Sequence, residues 1–232
     1  MSALPPPEEK ARYVRGMFDR IAPRYDLVNR VMTFGGDQRW RRGLVARLKV
    51  EPGDRVLDLA CGTGDFAALC RKRGARAVGV DFSWGMLRAA SAREADIPWV
   101  QGDALRLPFG DGTFTVVVSG FALRNFTDLP AAFAEAARVL VPGGRLGLLE
   151  VDRPRNRLVR GGHLLYFERV VPRLGGILGR DAAYRYLPQS AAYLPAEREL
   201  ARMLVDAGFE RIRKRRPMLG AIQAITAERA KR

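Results

Sequence analysis

The chain has few cysteines and no long apolar run. Its 232 residues include only two cysteines, Cys61 and Cys70, which are too few for a disulfide framework. We expect both thiols to be reduced, as in a cytoplasmic protein. No apolar stretch approaches the roughly 18 residues that a membrane-spanning helix needs. The first nine residues lack the basic and apolar regions of a secretory signal, so none is expected.

Acidic residues are outnumbered, with 25 Asp and Glu against 40 Lys and Arg, and the formal net charge is +15. The basic residues form small groups, at 39–42, 71–73, 153–160 and 213–216. Such a surface is explained by plain solvation, by an anionic membrane or by nucleic acid. Nucleic acid is the least favoured partner, because no long basic tail or RNA-binding module accompanies the charge. The oligomeric state is left open, a homodimer included.

The composition, 47% hydrophobic and 28% charged, is that of a globular chain with a real core. Three consecutive prolines, at 5–7, predict a stiff, disordered leader over 1–12. Residues 13–232 then form one domain. Apolar residues recur at three- and four-residue spacing over 13–50, which predicts an N-terminal helical cap.

Short apolar strands alternate with helices beyond this cap. We predict strands at 55–59, 77–81, 98–101, 114–120 and 145–151, and helices at 65–72, 83–93 and 131–140. This alternation predicts a parallel sheet with helices on both faces. After a helix at 197–207, strands at 209–216 and 221–227 are joined too closely for a helical crossover, so they pair antiparallel. A seven-stranded, mostly parallel α/β sheet with an antiparallel last strand is typical of Rossmann-like class I methyltransferases that use S-adenosylmethionine.

A glycine-rich turn follows the first strand, in the run from Asp58 to Asp65. Taken alone, this turn fits the loose dinucleotide pattern of NAD sites as well as S-adenosylmethionine. Three features favour the second ligand: an acid before the turn that suits a cationic amino group, a polar segment at 101–104 that suits an adenine amine, and the reversed strand. Each acid alone is better explained as a helix cap or turn residue, but three acids at matching strand ends favour a ligand site. The residues that we expect to bind the cofactor are Asp58, Ala60, Gly62, Thr63, Gly64, Asp81, Phe82, Met86, Asp103, Ala104, Ser119 and Gly120.

The segment after the fourth strand, Ser119 to Asn125, follows the strand end where ligands collect in such folds. It lacks the Asn/Asp-Pro-Pro-Tyr/Phe motif that grips a planar amino group, which counts against N-methylation of nucleic acid. The methyl donor is an electrophilic sulfonium, so no metal is needed.

At this point the chain resembles the quinone-biosynthesis C-methyltransferases, which methylate demethylmenaquinol or a methoxy-benzoquinol. The resemblance runs from about residue 13 to 225. It rests on four stretches: 25–35, the turn with Ala60 in place of a glycine, 121–125 and 138–150, with 181–190 resembling the segment that covers the substrate. This chain departs from the family's pattern at Val28, Asp37, Val141 and Asp152, where the family usually carries methionine, histidine, lysine and serine. His163 is then the only histidine, so a histidine base is not expected.

The resemblance implies a nucleophilic ring carbon on a quinol whose phenolic oxygen has lost its proton. We expect Arg124 and Asn125 to bind the quinol oxygens, and Tyr25 and Asp26 to organise a proton-accepting water. The structural alternatives are a surface ion pair or a brace at the sheet end for Arg124, and helix packing with a cap for Tyr25 and Asp26. Further expected substrate contacts are Phe121, Asn29, Tyr184, Arg185 and Tyr186.

Residues 153–195 are expected to form a helical insertion that covers the substrate. Its apolar residues suit a prenyl tail, and its arginines suit anionic lipid headgroups at the inner face of the cytoplasmic membrane. A plain packing helix explains the same pattern. The sequence therefore predicts a demethylmenaquinol C-methyltransferase. The alternatives are the benzoquinol enzyme, a methyltransferase of another small molecule or RNA, and a cofactor-sensing protein without catalysis.

Overall fold

The structure is a computed structural model that describes residues 7–152, 154, 186 and 190–231. A seven-stranded sheet has the order β3-β2-β1-β4-β5-β7-β6. Strand β7 runs antiparallel to both of its neighbours, and the remaining pairs are parallel. The predicted mostly parallel sheet with a reversed last strand is confirmed. The strands are β1 (Arg55–Leu59), β2 (Arg76–Asp81), β3 (Trp99–Gln101), β4 (Phe114–Gly120), β5 (Leu140–Val151), β6 (Phe209–Arg215) and β7 (Ile222–Arg229).

Helices cover both faces of this sheet, because successive strand side chains point to opposite faces. Leu57 of β1 packs in the cluster that holds Phe133 and Leu204, whereas its neighbour Val56 packs with Leu44 and Phe66. Continuous apolar strands follow from this two-sided burial. The described helices are α1 (Pro7–Ile21), α2 (Tyr25–Thr33), α3 (Gly36–Arg47), α4 (Asp65–Arg71), α5 (Trp84–Arg93), α6 (Leu129–Val139) and α7 (Glu197–Asp206).

Two element starts differ by more than two residues from the sequence prediction. Helix α1 begins at Pro7, so residues 7–12 are helical and the predicted disordered leader is wrong for them. Proline suits the first helical position, because its missing N–H would have no partner there. Residues 1–6 lie outside the described part of the chain. Strand β5 begins at Leu140, five residues before the predicted start. It continues through the Pro142-Gly143-Gly144 segment, which lies between the helix predicted at 131–140 and the strand predicted at 145–151.

Most of the predicted insertion over 153–195 lies outside the described residues. Of it, the structure describes Pro154, Tyr186 and residues 190–195, with a short 3₁₀ turn at Ala191–Tyr193. Tyr186 is fully buried and packs against Tyr13 of α1, with ring centroids 5.7 Å apart. Within the described ranges, no helix combines the length and the apolar character that crossing a bilayer requires.

Candidate active site

The glycine-rich turn joins β1 to α4 through three residues in the left-handed region, with φ of +52° at Ala60, +55° at Gly62 and +83° at Gly64. Glycine is required at position 64 for two reasons. Its φ lies in the left-handed region, and a Cβ there would lie 2.2 Å from the ring of Trp99. The Gly62 N–H donates to the carboxylate of Asp81 over 2.8 Å. This bond ties the turn to the end of β2, so two strand ends build one site.

Asp81 ends β2 and is buried beneath this turn. Its Oδ1 accepts a hydrogen bond from the backbone N–H of Ser83 over 2.9 Å. Burial raises the pKa of Asp81 to about 6, although the N–H groups of Ser83 and Gly62 oppose the shift. A carboxylate held in this way is placed to accept further hydrogen bonds from a ligand.

Asp58 lies in β1, one strand position before the turn, and is 1% exposed. Its Oδ2 accepts from the N–H of Ala67 over 2.9 Å, whereas its Oδ1 is buried and has no hydrogen-bond partner. Burial raises the pKa of Asp58 well above its usual range, and the positive charge of Arg41 opposes the shift. A cationic ligand group near the orphaned oxygen would favour the carboxylate form, so the site fits a positively charged cofactor.

A cavity opens at these strand ends. Among the described residues that line it are two acids, Asp81 and Asp103, and no lysine, arginine or histidine. A pyrophosphate would meet negative charge here, whereas a sulfonium with an amino group would meet complementary charge. The predicted site residues that line the cavity are Tyr25, Ala60, Gly62, Asp81, Phe82, Met86, Asp103, Ala104, Gly120, Phe121 and Asn125.

Ser119 was expected to bind the cofactor, but its side chain faces another way. Its hydroxyl donates to the carbonyl of Leu59 over 2.7 Å and is buried, so it braces β4 against β1. Gly120 next to it does line the cavity, and a Cβ there would lie 2.7 Å from the ring of Phe66.

Helix α2 forms a second wall of the site. Tyr25 at its start lines the cavity, and burial raises the pKa of the Tyr25 hydroxyl against the opposing charge of Arg41. Asp26 is engaged elsewhere, because it accepts from the Thr63 hydroxyl over 2.6 Å and forms an ion pair with Arg93 at 2.6 Å. Asp26 therefore links α2 to the turn, through Thr63, and to α5, through Arg93, instead of organising a water as expected.

Arg41 is a residue that sequence reasoning missed. Its guanidinium is buried between the rings of Phe66 and Phe121, with 5.5 Å and 5.2 Å from the carbon Cζ to the ring centroids. Asp37 pairs with it at 3.2 Å across one helical turn. The acid that stands in place of a family histidine thus holds this arginine and does not line the cavity. The spacing of four between Asp37 and Arg41 was the available signal.

Arg124 was expected to bind the quinol oxygens, but it does not line the cavity. It is 5% exposed, forms an ion pair with Glu150 at the end of β5, and donates from Nε to the Ser190 hydroxyl over 3.1 Å. The alternative of a brace at the sheet end describes Arg124 better than a substrate contact. Its neighbour Asn125 lines the cavity, and the Asn125 Oδ1 accepts from the Tyr186 hydroxyl over 3.2 Å.

The N-terminal helix α1 forms part of the cavity wall. The periodic pattern predicted a helix here but not its contact with the cavity. Ala11 and Phe18 line the cavity. Lys10 donates to the Phe126 carbonyl over 2.7 Å, and its Nζ lies 4.0 Å from the ring centroid of Tyr193. Burial lowers the pKa of Lys10 to about 8.

Three further expectations complete the comparison. Asn29 lies on α2 beside Tyr25 and does not line the cavity. Tyr184 and Arg185 lie outside the described residues. The described part of the chain holds no group of three or more His, Cys, Asp or Glu that could bind a metal ion. Cys61 and Cys70 are both free and buried.

The ubiE/COQ5 methyltransferase family matches residues 7–228 of this sequence. The chain belongs to this family. It is therefore an S-adenosylmethionine-dependent methyltransferase, as the acidic cavity and the reversed strand indicated. The predicted resemblance to this family is confirmed, and the NAD alternative is wrong.

Curated relatives match along nearly the whole chain. A demethylmenaquinone methyltransferase of Roseiflexus sp. (strain RS-1) is 45% identical over 225 residues, 95% of this chain and 94% of the relative. The enzyme of that name from Thermus thermophilus is 46% identical, over 83% of this chain and 91% of its own. A ubiquinone/menaquinone biosynthesis C-methyltransferase of Syntrophotalea carbinolica is 43% identical over 87% of both chains.

Solved structures support the fold. A SAM-dependent methyltransferase of Thermotoga maritima aligns with a TM-score of 0.65 at 21% identity, covering 92% of this chain and 99% of that one. A phosphoethanolamine N-methyltransferase of Haemonchus contortus in complex with S-adenosyl-L-methionine aligns with a TM-score of 0.65 at 16% identity, over 91% of this chain and 57% of that one. At these identities the likeness concerns the fold alone.

Proposed function

We propose that this enzyme methylates a ring carbon of demethylmenaquinol to give menaquinol. The observation that carries the proposal is a cavity of acidic and apolar character at the strand ends, in a chain whose curated relatives are named demethylmenaquinone methyltransferase. The methoxy-benzoquinol of ubiquinone biosynthesis is the second candidate, because the Syntrophotalea relative carries both quinones in its name.

The cofactor is assigned by charge and position. S-adenosylmethionine supplies a methyl group on a positively charged sulfur. Asp81 would accept hydrogen bonds from the ribose hydroxyls, and Asp58 would compensate the charge of the methionine amino group. Asp103 and Ala104 follow β3 on the cavity wall and would hold the adenine. Phe82 and Met86 would supply an apolar surface for that base.

On the quinol side, the described polar side chains that line the cavity outside the cofactor wall are Tyr25, Asn125 and Thr127. Tyr186 accounts for the Asn125 carbonyl oxygen, so the Asn125 amide N–H group is left to bind a quinol oxygen. A hydrogen bond to that oxygen stabilises the negative charge that makes the ring carbon nucleophilic. Phe121 offers a ring face for the aromatic substrate. Arg124 is a positioning residue, because its pair with Glu150 fixes the loop that carries Asn125.

The finer partners are also proposals. A prenylated quinol resides in a bilayer, and the net charge of +15 favours an anionic one, so we expect peripheral contact with the inner membrane face. We expect no nucleic-acid substrate, and the homodimer stays an expectation.

The experiment uses purified protein, methyl-labelled S-adenosylmethionine, and three acceptors: reduced demethylmenaquinone, the methoxy-benzoquinol and RNA. We expect label in the naphthoquinol. Label in RNA and in neither quinol would contradict the proposal, and label in the benzoquinol alone would select the second candidate.

Two variants separate the assigned roles. Asn125→Ala should lower turnover strongly and leave cofactor affinity unchanged by calorimetry, since Asn125 is assigned to the quinol. Asp81→Ala should abolish cofactor binding itself. Unchanged cofactor affinity in Asp81→Ala would show that the ribose assignment is wrong.

A further inference from the structure

The methionine end of S-adenosylmethionine carries two opposite charges, and the cavity wall supplies only one kind. An α-ammonium and an α-carboxylate are attached to the same carbon, so both charges must be accommodated close together. Asp58 is assigned to the ammonium. The charged side chains among the described residues that line the cavity, Asp81 and Asp103, are both acids. The carboxylate therefore needs a cation that lies behind the cavity wall.

Three cationic side chains are buried in the described part of the chain: Lys10, Arg41 and Arg124. Lys10 donates to the Phe126 carbonyl and lies over the Tyr193 ring. Arg124 is held by a direct ion pair with the Glu150 carboxylate, and its Nε donates to the Ser190 hydroxyl. Arg41 is the one of the three whose side chain keeps a buried donor without a partner.

The unpartnered donor is the Nε of Arg41. Its Nη1 donates to Asp37 over 3.2 Å, but the buried Nε has no hydrogen-bond partner among the described residues. Asp65 lies 3.7 Å from that Nε, which is beyond hydrogen-bond distance. The Asp65 oxygens are engaged elsewhere, since Oδ1 accepts from Arg93 and Oδ2 accepts from Gln38, each over 2.9 Å. A buried N–H on a cation is costly unless an acceptor completes it.

The position of Arg41 matches the methionine end of the cofactor. Its Cζ lies 5.2 Å from the ring centroid of Phe121, which lines the cavity. At Asp58, burial raises the pKa of the carboxyl, and the N–H of Ala67 and the charge of Arg41 oppose that rise. The Oδ1 of Asp58 is the other buried polar atom without a partner here. An acid and an arginine with one unpartnered atom each thus complement a zwitterion.

We propose that Arg41 supplies the positive charge for the α-carboxylate of S-adenosylmethionine, while Asp58 takes the α-ammonium. Phe66 and Phe121 hold the guanidinium from two sides, and Asp37 orients it from the preceding helical turn. The proposal rests on the placement of the ammonium at Asp58 under the proposed function, and it does not depend on which quinol is methylated.

The test compares two ligands by isothermal calorimetry, with no quinol present. The first is S-adenosylmethionine, and the second is its decarboxylated form, which keeps the sulfonium and the ammonium. The natural protein should bind S-adenosylmethionine about tenfold more tightly, although the decarboxylated ligand brings more positive charge to an acidic cavity. Arg41→Met should lower the affinity for S-adenosylmethionine alone, so that the ratio of the two affinities falls to about one. Equal losses for both ligands would indicate a merely structural role and overturn the proposal.

A second variant covers the case in which Arg41→Met does not fold. Arg41→Met leaves Asp37 buried without its cation, whereas Arg41→Met combined with Asp37→Asn removes the pair as a unit. The double variant should fold and should also bind the two ligands equally. The matched control is Arg42→Met, which changes the next, exposed arginine of α3 and should keep the natural ratio. A natural ratio in the double variant, or a lost preference in Arg42→Met, would overturn the proposal.

The carboxylate and ammonium assignments fail separately. Asp58→Asn should weaken both ligands equally, because both carry the ammonium, and should leave the ratio unchanged. A natural protein that binds the two ligands equally would overturn the role of Arg41, whatever the acceptor. The predicted ratios without methyl transfer to any quinol would overturn the proposed function and leave the role of Arg41 standing.

Discussion

Asp81 is the residue whose ionisation most directly controls the site. Its carboxylate ties the turn through Gly62 and is assigned to the ribose. Because burial raises its pKa to about 6, it is still mainly ionised at neutral pH but close to protonation. In the free protein this burial favours the protonated form, so its contribution to stability falls as pH rises from the unfolded value through 6. Function and stability therefore place opposite demands on this carboxyl.

Cofactor affinity should decrease as the pH is lowered, because Asp81 then becomes protonated. If only the ionised Asp81 binds, the dissociation constant should be about tenfold higher at pH 5 than at pH 7. Isothermal calorimetry across that range measures it. A flat profile in the natural protein would contradict the assignment, and Asp81→Asn, which cannot titrate, is the control whose affinity should be low at every pH.

The Arg124–Glu150 pair yields a second prediction at this scale. Arg124→Met leaves a buried carboxylate without its cation, which should cost about 3–5 kcal/mol in the free energy of unfolding. The double variant Arg124→Met with Glu150→Gln should recover much of that loss. Urea unfolding measures both. An Arg124→Met variant with natural stability and no turnover would instead indicate that Arg124 binds the substrate.

Residue types at the strand ends were readable from the sequence, but their partners were not. Asp58 and Asp81 follow apolar strands whose carboxyl ends must meet at one edge, so their proximity was predictable. Arg124 and Glu150 are 26 residues apart in sequence, and only the pairing of β4 with β5 brings them together. For the same reason the enclosure of Arg41 by two phenylalanine rings depends on tertiary packing.

Among the elements, α1 and α2 together form a cap over the cavity. Asp19 of α1 accepts from the Ser83 hydroxyl over 2.7 Å and from the Gly85 N–H over 2.8 Å, at the start of α5. Gly85 is needed there, since a Cβ would lie 2.9 Å from the Asp19 backbone. The cap is thus held by these polar contacts together with a buried apolar cluster that includes Val14, Met17 and Met86.

Loosening this contact should speed cofactor release. Asp19→Ala removes both hydrogen bonds, and we expect a faster dissociation rate for S-adenosylhomocysteine by stopped-flow, with a melting temperature lowered by a few degrees. Asp19→Asn keeps an acceptor oxygen and should release near the natural rate. Identical rates for Asp19→Ala and the natural protein would mean that the cap does not gate the cofactor.

Element boundaries in the sheet were predicted closely, because buried parallel strands give unbroken apolar runs. The predicted strand at 114–120 coincides with β4. Prediction failed where local chemistry was ambiguous: three prolines resemble a linker as well as a helix start, and Pro142-Gly143-Gly144 resembles a stop. In β5 the pairing of Leu140 with Phe114 places the strand start earlier.

At the scale of the whole molecule, the cavity and the structural ion pairs lie at opposite ends of the strands. The carboxyl end holds the cavity and the acids, whereas the amino end holds structural ion pairs such as Arg145 with Asp54.

The position of the transferred methyl group tests the central claim most directly. Reaction of demethylmenaquinol with S-adenosylmethionine carrying a carbon-13 methyl group, followed by NMR of the product, distinguishes a carbon-bound from an oxygen-bound methyl. A carbon-bound methyl on the quinone ring, lost in Asn125→Ala, is the predicted result. An oxygen-bound methyl, or no methylated quinol, would contradict it.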